Sequence, residues 1–209
     1  DKIMRVGIKP VDTDISLPDS CFGFDGKILY AKMLNWLAAN HKRNEQIIAD
    51  IEEEKAHSCL ILSDRLEHLQ TLMETLPDGM RDQAVFISGK SKAKERDAAM
   101  AEMRSGKKKY LFATYSLAKE GLDIPRLERL FLVTPQKDYA VVTQSIGRIA
   151  RTFDGKADPI CYDYVDNEPY LIKSFKKRCS CKMLWWRCNE KEKIIRKTKR
   201  RKEKNETNW

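Results

Sequence analysis

The sequence predicts an α/β fold, a parallel sheet flanked by helices with a helical lead-in and a basic C-terminal extension. Three observations predict it. Short apolar runs recur at CLILS (59–63), AVFIS (84–88), YLFAT (110–114), ERLFLV (128–133) and PICYDYV (159–165). Stretches with apolar residues at helical spacing separate them. The excess positive charge is confined to the C-terminal end: of a net +9, residues 173–209 hold 15 Lys and Arg against four Asp and Glu, leaving residues 1–172 slightly acidic. Strands that are apolar on both sides belong to a sheet covered on both faces, because neither face meets water.

The elements follow in order. Residues 1–26 read as an extended lead-in with one strand in IMRVGIKP. Residues 27–56 read as helical, with Ile28, Leu29, Met33, Trp36 and Leu37, then Ile47, Ile48 and Ile51, at helical intervals. After CLILS, the stretch DRLEHLQTLMETL places Leu66, Leu69, Met73 and Leu76 on one helical face, and Pro77 and Gly79 lie beyond its end. A charged helix, SKAKERDAAMAEMRSG, follows AVFIS and stops at Gly106. A short helix starts near Ser116, and a longer one spans 138–151. Beyond 172 the alternation is lost, and Leu184, Trp185, Ile194 and Ile195 read as a helical extension packed on the core before a solvated end. That basic stretch suits either solvent or phosphates, with its tryptophans placed to stack on bases.

No run approaches 18 apolar residues, so no membrane span is expected. The start, DKIMRVGIKP, has no signal-peptide pattern, and Asp1 in place of Met suits a fragment of a longer protein. Six scattered cysteines are expected to be reduced, in the cytoplasm (the host's, if the chain is phage-encoded). Cys179, Cys181 and Cys188 lack the C-x2-C pairs of common zinc sites, so no metal is assigned. His41, His57 and His68 are assigned no chemistry.

In open α/β sheets, ligands sit beyond the carboxyl ends of the strands. The polar residues there are Ser63 with Asp64 and Arg65, Ser88 with Gly89, Thr114, and Thr134. In ATYSLAKEGLDIP (113–125), a hydroxyl and backbone N–H groups at the strand-to-helix junction suit a phosphate, and Asp123 suits ribose hydroxyls or a nearby arginine. Taken alone, a Gly-Leu-Asp sequence is more often just a turn. In QSIGRIAR (144–151), about 100° per residue puts Gln144, Gly147, Arg148 and Arg151 on one stripe and Val142, Ile146 and Ile149 on the other. Two arginines a turn apart beside a glycine suit a highly charged anion. The plainer alternative is an amphipathic helix whose arginines pair with Asp154 or Asp158.

EGLDIP followed by QxxGRxxR resembles motifs V and VI of superfamily 2 helicases and translocases. LILSDRLEHLQTL resembles the motif IV strand and helix, and VFISGKSKAKERDAAMAEMRSGKKKYLFAT the stretch leading into motif V. The resemblance covers about residues 58–165. The segment around Arg43, LSDRLEHL and the late YDYVD are most similar to the branch shared by type III restriction-enzyme subunits and phage helicases.

The resemblance implies that residues 27–172 form the C-terminal RecA-like domain of a two-domain motor. Residues 1–26 would then lead in from an N-terminal RecA-like domain, and 173–209 would be a basic helical tail. It also implies ATP and Mg, bound mainly by that N-terminal domain, and a nucleic-acid partner, DNA ahead of RNA. Gln144, Arg148 and Arg151 would face the nucleotide cleft, with the two arginines as candidate fingers on the γ-phosphate. Gly121 and Asp123 would face the ribose side. Thr114, Ser63, Arg65, Ser88 and Gly89 would grip the nucleic-acid backbone, which carries little sequence information. The 209 residues contain no G-x-x-x-x-G-K-[ST] phosphate loop and no DExD/H box; GKSK at 89–92 echoes the former without its leading glycine. The chain alone is therefore expected not to hydrolyse ATP. A nucleic-acid-binding module without an ATPase, or the motor part of a restriction subunit, are the alternatives.

Overall fold

Apolar five-residue strands have no solvent-tolerant face, so they occupy the middle of the sheet. The computed structural model describes residues 3–180 and the strand at 186–188. Strands β1 (Val6–Asp12), β2 (Cys59–Ser63), β3 (Ala84–Ile87), β4 (Tyr110–Thr114), β5 (Arg129–Leu132), β6 (Ile160–Val165) and β7 (Trp186–Cys188) form one sheet in the order β3-β4-β2-β5-β6-β1-β7. Every pairing is parallel. Connecting helices are α1 (Tyr30–Ala39), α2 (His41–Glu53), α3 (Leu66–Thr75), α4 (Asp78–Arg81), α5 (Ala93–Ser105), α6 (Tyr115–Gly121), α7 (Tyr139–Ile149) and α8 (Pro169–Ser180).

The period-2 alternation of the strands divides the core in two. On one face Leu60, Leu62, Leu111, Leu130 and Cys161 pack against Met103 of α5, Leu117 of α6, and Val142, Ile146 and Ile149 of α7. On the other, Ile61, Phe112, Phe131 and Tyr162 pack against Ile47 and Ile51 of α2 and Leu69 and Leu72 of α3. Burying each such side chain contributes about 1.5–3 kcal/mol before conformational entropy is counted.

Three readings change. The segment 1–26 does more than lead in: β1 sits inside the sheet, paired with β6 from Gly7↔Ile160 to Asp12↔Val165. The helical stretch expected over 27–56 is divided into α1 and α2, because Asn40 leaves helical geometry and its side chain accepts from the Arg43 amide at 2.9 Å, capping α2. Residues 186–188 add a strand to β1 where a helical extension was expected. Leu184, Trp185, Ile194 and Ile195 lie outside the described residues. The predicted stop at Gly106 is present, with the glycine at φ 80°, the left-handed geometry that ends α5.

Candidate nucleotide and nucleic-acid faces

Parallel register places the polar strand ends side by side. Ser63 pairs in register with Thr114, and Ile87 with Ala113, so Ser88 lies next to Thr114. The Asp64 amide donates to Thr134 Oγ1 at 2.9 Å, adding the end of β5 to the same edge. Within this row the residues differ in accessibility. Thr114 is partly exposed, its Oγ1 2.9 Å from Ser116 Oγ. Gly89 and Lys90 are exposed on the turn after β3, where the Ser88 amide donates to Ser91 Oγ at 3.0 Å.

Ser63 is different: it is fully buried. Its Oγ lies 3.1 Å from His68 Nδ1 and accepts from the Arg65 amide at 3.0 Å. It therefore shapes the turn and does not itself present a hydroxyl to a ligand. Ser88 is likewise buried, with its Oγ accepting from the Lys90 amide. Arg65 directs Nε to Asn35 Oδ1 at 2.6 Å and Nη2 to the Ala31 carbonyl. It lines an open cleft of about 630 Å³ with Asn35, Ala38, Asp64 and Thr71.

His68, given no role from sequence, fixes this edge. Its Nε2 lies 2.8 Å from Asn44 Oδ1, so the ring bridges α2 to the Ser63 turn. Burial, with the Arg43 charge adding to it, pulls its pKa down to about 3. The folded ring stays neutral while the unfolded ring takes a proton below about 6.5. This contribution to stability is present above that pH and is lost as pH falls from 6.5 toward 3. The expected slope is at most about 1.4 kcal/mol per pH unit. Urea unfolding at stepped pH from 6.5 to 5 checks it; His68→Gln should flatten the slope, and an equal slope in both proteins contradicts the assignment.

The second constellation lies at the far ends of α6 and α7. α6 starts directly after Thr114; it buries Tyr115, Leu117 and Ala118 and ends at Gly121, whose φ of 123° favours glycine. Asp138 caps α7 by accepting from the Ala140 amide at 2.9 Å. Val142, Ile146 and Ile149 are buried, while Gln144 and Arg151 are exposed and Arg148 is partly so, which is the expected division of the two stripes.

Arg148 reaches back to α6, donating from Nε to the Ala118 carbonyl at 2.8 Å and from Nη2 to that of Lys119 at 3.4 Å. It thereby meets the negative end of α6. Burial first, then the neighbouring Arg151 charge, pulls its pKa below the ordinary arginine range, with Asp123 opposing. Arg151 Nη1 pairs with Asp123 Oδ1, and both side chains stay substantially exposed, at 43% and 59%. The acid is thus Asp123, not Asp154 or Asp158. Arg104 Nε donates to the Asp123 carbonyl at 2.7 Å, bringing a third guanidinium to this turn. The helix expected over 138–151 ends at Ile149, so Arg148 stands in the last turn of α7 and Arg151 two residues beyond it; neither lies beside the strand ends. A seven-residue helix, about 10 Å long, separates them from Thr114.

Cys21, Cys59 and Cys161 are buried and unbridged, and Cys179 is partly buried. The side chains of Cys181 and Cys188 lie outside the described residues. Among the described residues no group of three metal-ligating side chains occurs, and no helix is long and apolar enough to cross a membrane.

The chain matches the family described as the helicase conserved C-terminal domain over residues 41–153. It is 30% identical over 152 residues to putative helicase 22 of Sulfolobus islandicus filamentous virus (isolate Iceland/Hveragerdi), covering 71% of this chain and 26% of that protein. It is 28% identical over 178 residues to putative ATP-dependent RNA helicase L396 of Acanthamoeba polyphaga mimivirus, covering 83% and 30%. The ATP-dependent DNA helicase uvsW of Enterobacteria phage T4 is 21% identical over 147 residues, covering 69% and 29%. The crystal structure of T4 UvsW superposes with a TM-score of 0.59 at 17% identity, over 84% of this chain and 38% of that one. The chain spans less than a third of the length of each of these three relatives.

Proposed function

The chain belongs to the helicase conserved C-terminal domain family of superfamily 2, and on that basis we propose that it is the second motor domain of an ATP-dependent nucleic-acid helicase or translocase. An N-terminal RecA-like domain binds ATP and Mg. This chain supplies Arg148 and Arg151 to the triphosphate, with Gln144 placed to hold the γ-phosphate or the attacking water. Gly121 and Asp123 border the ribose side. Thr114, the Gly89 turn and Arg65 grip the nucleic-acid backbone, supported from behind by Ser63 and Ser88. DNA is placed ahead of RNA on the resemblance to the phage and restriction-subunit branch, and the protein is assigned to the cytoplasm.

The observation that carries this reading is the outward cationic stripe of α7. Arg148 is partly desolvated with no carboxylate bonded to it among the described residues, and Arg151 meets Asp123 at the surface. A partly desolvated cation beside a like charge gains most from a polyanion, and a triphosphate fits that chemistry. Magnesium is assigned to the other domain, whose carboxylates would hold it.

The arrangement also suggests how hydrolysis is coupled to grip. α6 runs from Thr114 at the strand edge to Asp123 beside the arginines, and Arg148 is bonded to its last carbonyls. A shift of the arginines on loss of the γ-phosphate therefore pulls on the element whose other end holds the nucleic acid. The test is turnover. The 209-residue chain with ATP should show no hydrolysis above background, and the longer protein should hydrolyse ATP faster when nucleic acid is added. Turnover by the chain alone, or a rate in the longer protein indifferent to nucleic acid, contradicts the proposal.

A further inference from the structure

Lys156 lies five residues beyond Arg151, outside every motif identified in the sequence. Gly155, at φ 71°, and a bond from the Lys156 amide to the Phe153 carbonyl fold the chain back beneath the end of α7. The ammonium then donates to three backbone carbonyls: Arg151 at 2.7 Å, Ile149 at 2.8 Å and Pro125 at 3.0 Å. An ammonium has three N–H donors, so this set is complete. The Ile149 carbonyl ends α7, where unpaired carbonyls concentrate negative potential, and the Arg151 carbonyl lies two residues further on. The third belongs to the turn that carries Asp123.

We infer that Lys156 is a positioning residue for the arginine pair, its ammonium locking the last turn of α7 to the Asp123–Pro125 turn so that Arg148 and Arg151 project as a unit. This rests on the finger reading of those arginines. A guanidinium held only at its own side chain swings with the helix end. Fixing that end at Ile149 and Arg151 removes the freedom, and misplacement of about 1 Å costs about 10²-fold in rate. Lysine suits the task because three acceptors converge on one point, which a planar guanidinium matches less well.

The clamp works only while protonated, since the neutral amine has two N–H donors for three carbonyls. Burial pulls the Lys156 pKa down to about 8, with the Glu128 carboxylate opposing. The charged groups on the elements that meet here are Arg148 of α7, Arg151 just beyond it, Asp123 and Arg126 of the turn, Glu128 before β5, and Asp154 and Asp158 of the lysine's own loop. The clamp is therefore complete at neutral pH and weakens as pH rises through about 8.

The experiment uses the longer protein with saturating nucleic acid. Lys156→Met should lower kcat for ATP about 10²-fold with KM little changed, because the arginines act in the transition state. Wild-type kcat should fall as pH rises through about 8, and Lys156→Arg, which keeps its charge, should recover part of the lost kcat and lack that alkaline fall. Wild-type kcat in Lys156→Met overturns the inference. If Lys156→Met does not fold, the pH profiles decide: the same alkaline fall in wild type and Lys156→Arg overturns it equally. Arg148→Ala, measured alongside, separates the two levels. A fully active Arg148→Ala removes the finger reading itself, whereas an inactive Arg148→Ala with a normal Lys156→Met removes only the role of Lys156.

Discussion

Arg148→Ala in the longer protein is expected to cut ATP turnover about 10³-fold or more while nucleotide binding persists, because a finger arginine neutralises charge that develops only in the transition state. Turnover under saturating ATP gives the first quantity and the affinity for a non-hydrolysed nucleotide gives the second. Arg148→Lys tests the geometry: it keeps the charge but loses the planar fork, so its kcat should stay close to that of the alanine variant. In the free chain Arg148 donates to the Ala118 and Lys119 carbonyls, which offers a competing account in which it merely closes the end of α6. That account predicts a loss of thermal stability with kcat preserved in the folded fraction. Measuring unfolding and turnover on the same variant tells the two apart, and unchanged turnover takes Arg148 out of the finger role.

The same pair of helices shows where the sequence was informative and where it was silent. The stripes of α7 follow from helical periodicity, which is a local property, and Val142, Ile146 and Ile149 lie inside as that periodicity requires. The central strands were legible because CLILS and YLFAT have no polar face to misassign. β1 was harder. Its sequence VGIKPVD contains Pro10, which argues against an interior strand. β7 pairs only with Val6, Gly7 and Ile8, so Pro10 falls beyond that partner and its missing N–H breaks no described ladder bond on that side.

Long-range polar wiring left no mark in the sequence. The Asn44–His68–Ser63 chain joins residues from three elements, and Lys156 bonds only to carbonyls, which every residue possesses. Burial also reassigned two hydroxyls. Ser63 ends β2 and Ser88 follows β3 as expected, yet the turns close over their hydroxyls, while Asp64, Arg65, Gly89 and Thr114 remain accessible.

The largest loss of stability is expected from breaking the Arg43–Asp166 pair, which the periodicity of α2 could not reveal. Both side chains are fully buried. Arg43 Nε and Nη2 donate to the two Asp166 oxygens at 2.8 and 3.2 Å, Nη1 donates to the Val133 carbonyl, and Thr13 Oγ1 donates to Asp166 Oδ1 at 2.7 Å. The cluster thus ties α2 to the chain leaving β1, β5 and β6, behind the polar edge. Asp166→Ala leaves a guanidinium buried without its counter-charge, which costs about 3–5 kcal/mol. A domain of this size has roughly 5–15 kcal/mol in total. At roughly 2–4 °C per kcal/mol, the midpoint should fall by about 6–20 °C. Replacing both partners, as Arg43→Met with Asp166→Leu, removes both charges and should recover most of the loss. Recovery stays incomplete because the Val133 carbonyl loses its donor and the Thr13 hydroxyl loses its acceptor, keeping only the Ile15 amide as donor, at about 1–3 kcal/mol each. Adding Thr13→Val removes that hydroxyl but also the acceptor of the Ile15 amide at 3.3 Å, so its midpoint should stay close to that of the double variant. Thermal unfolding of wild type and the three variants reads each step. An Asp166→Ala midpoint within error of wild type would mean that water reaches this site and that the pair does not anchor α2.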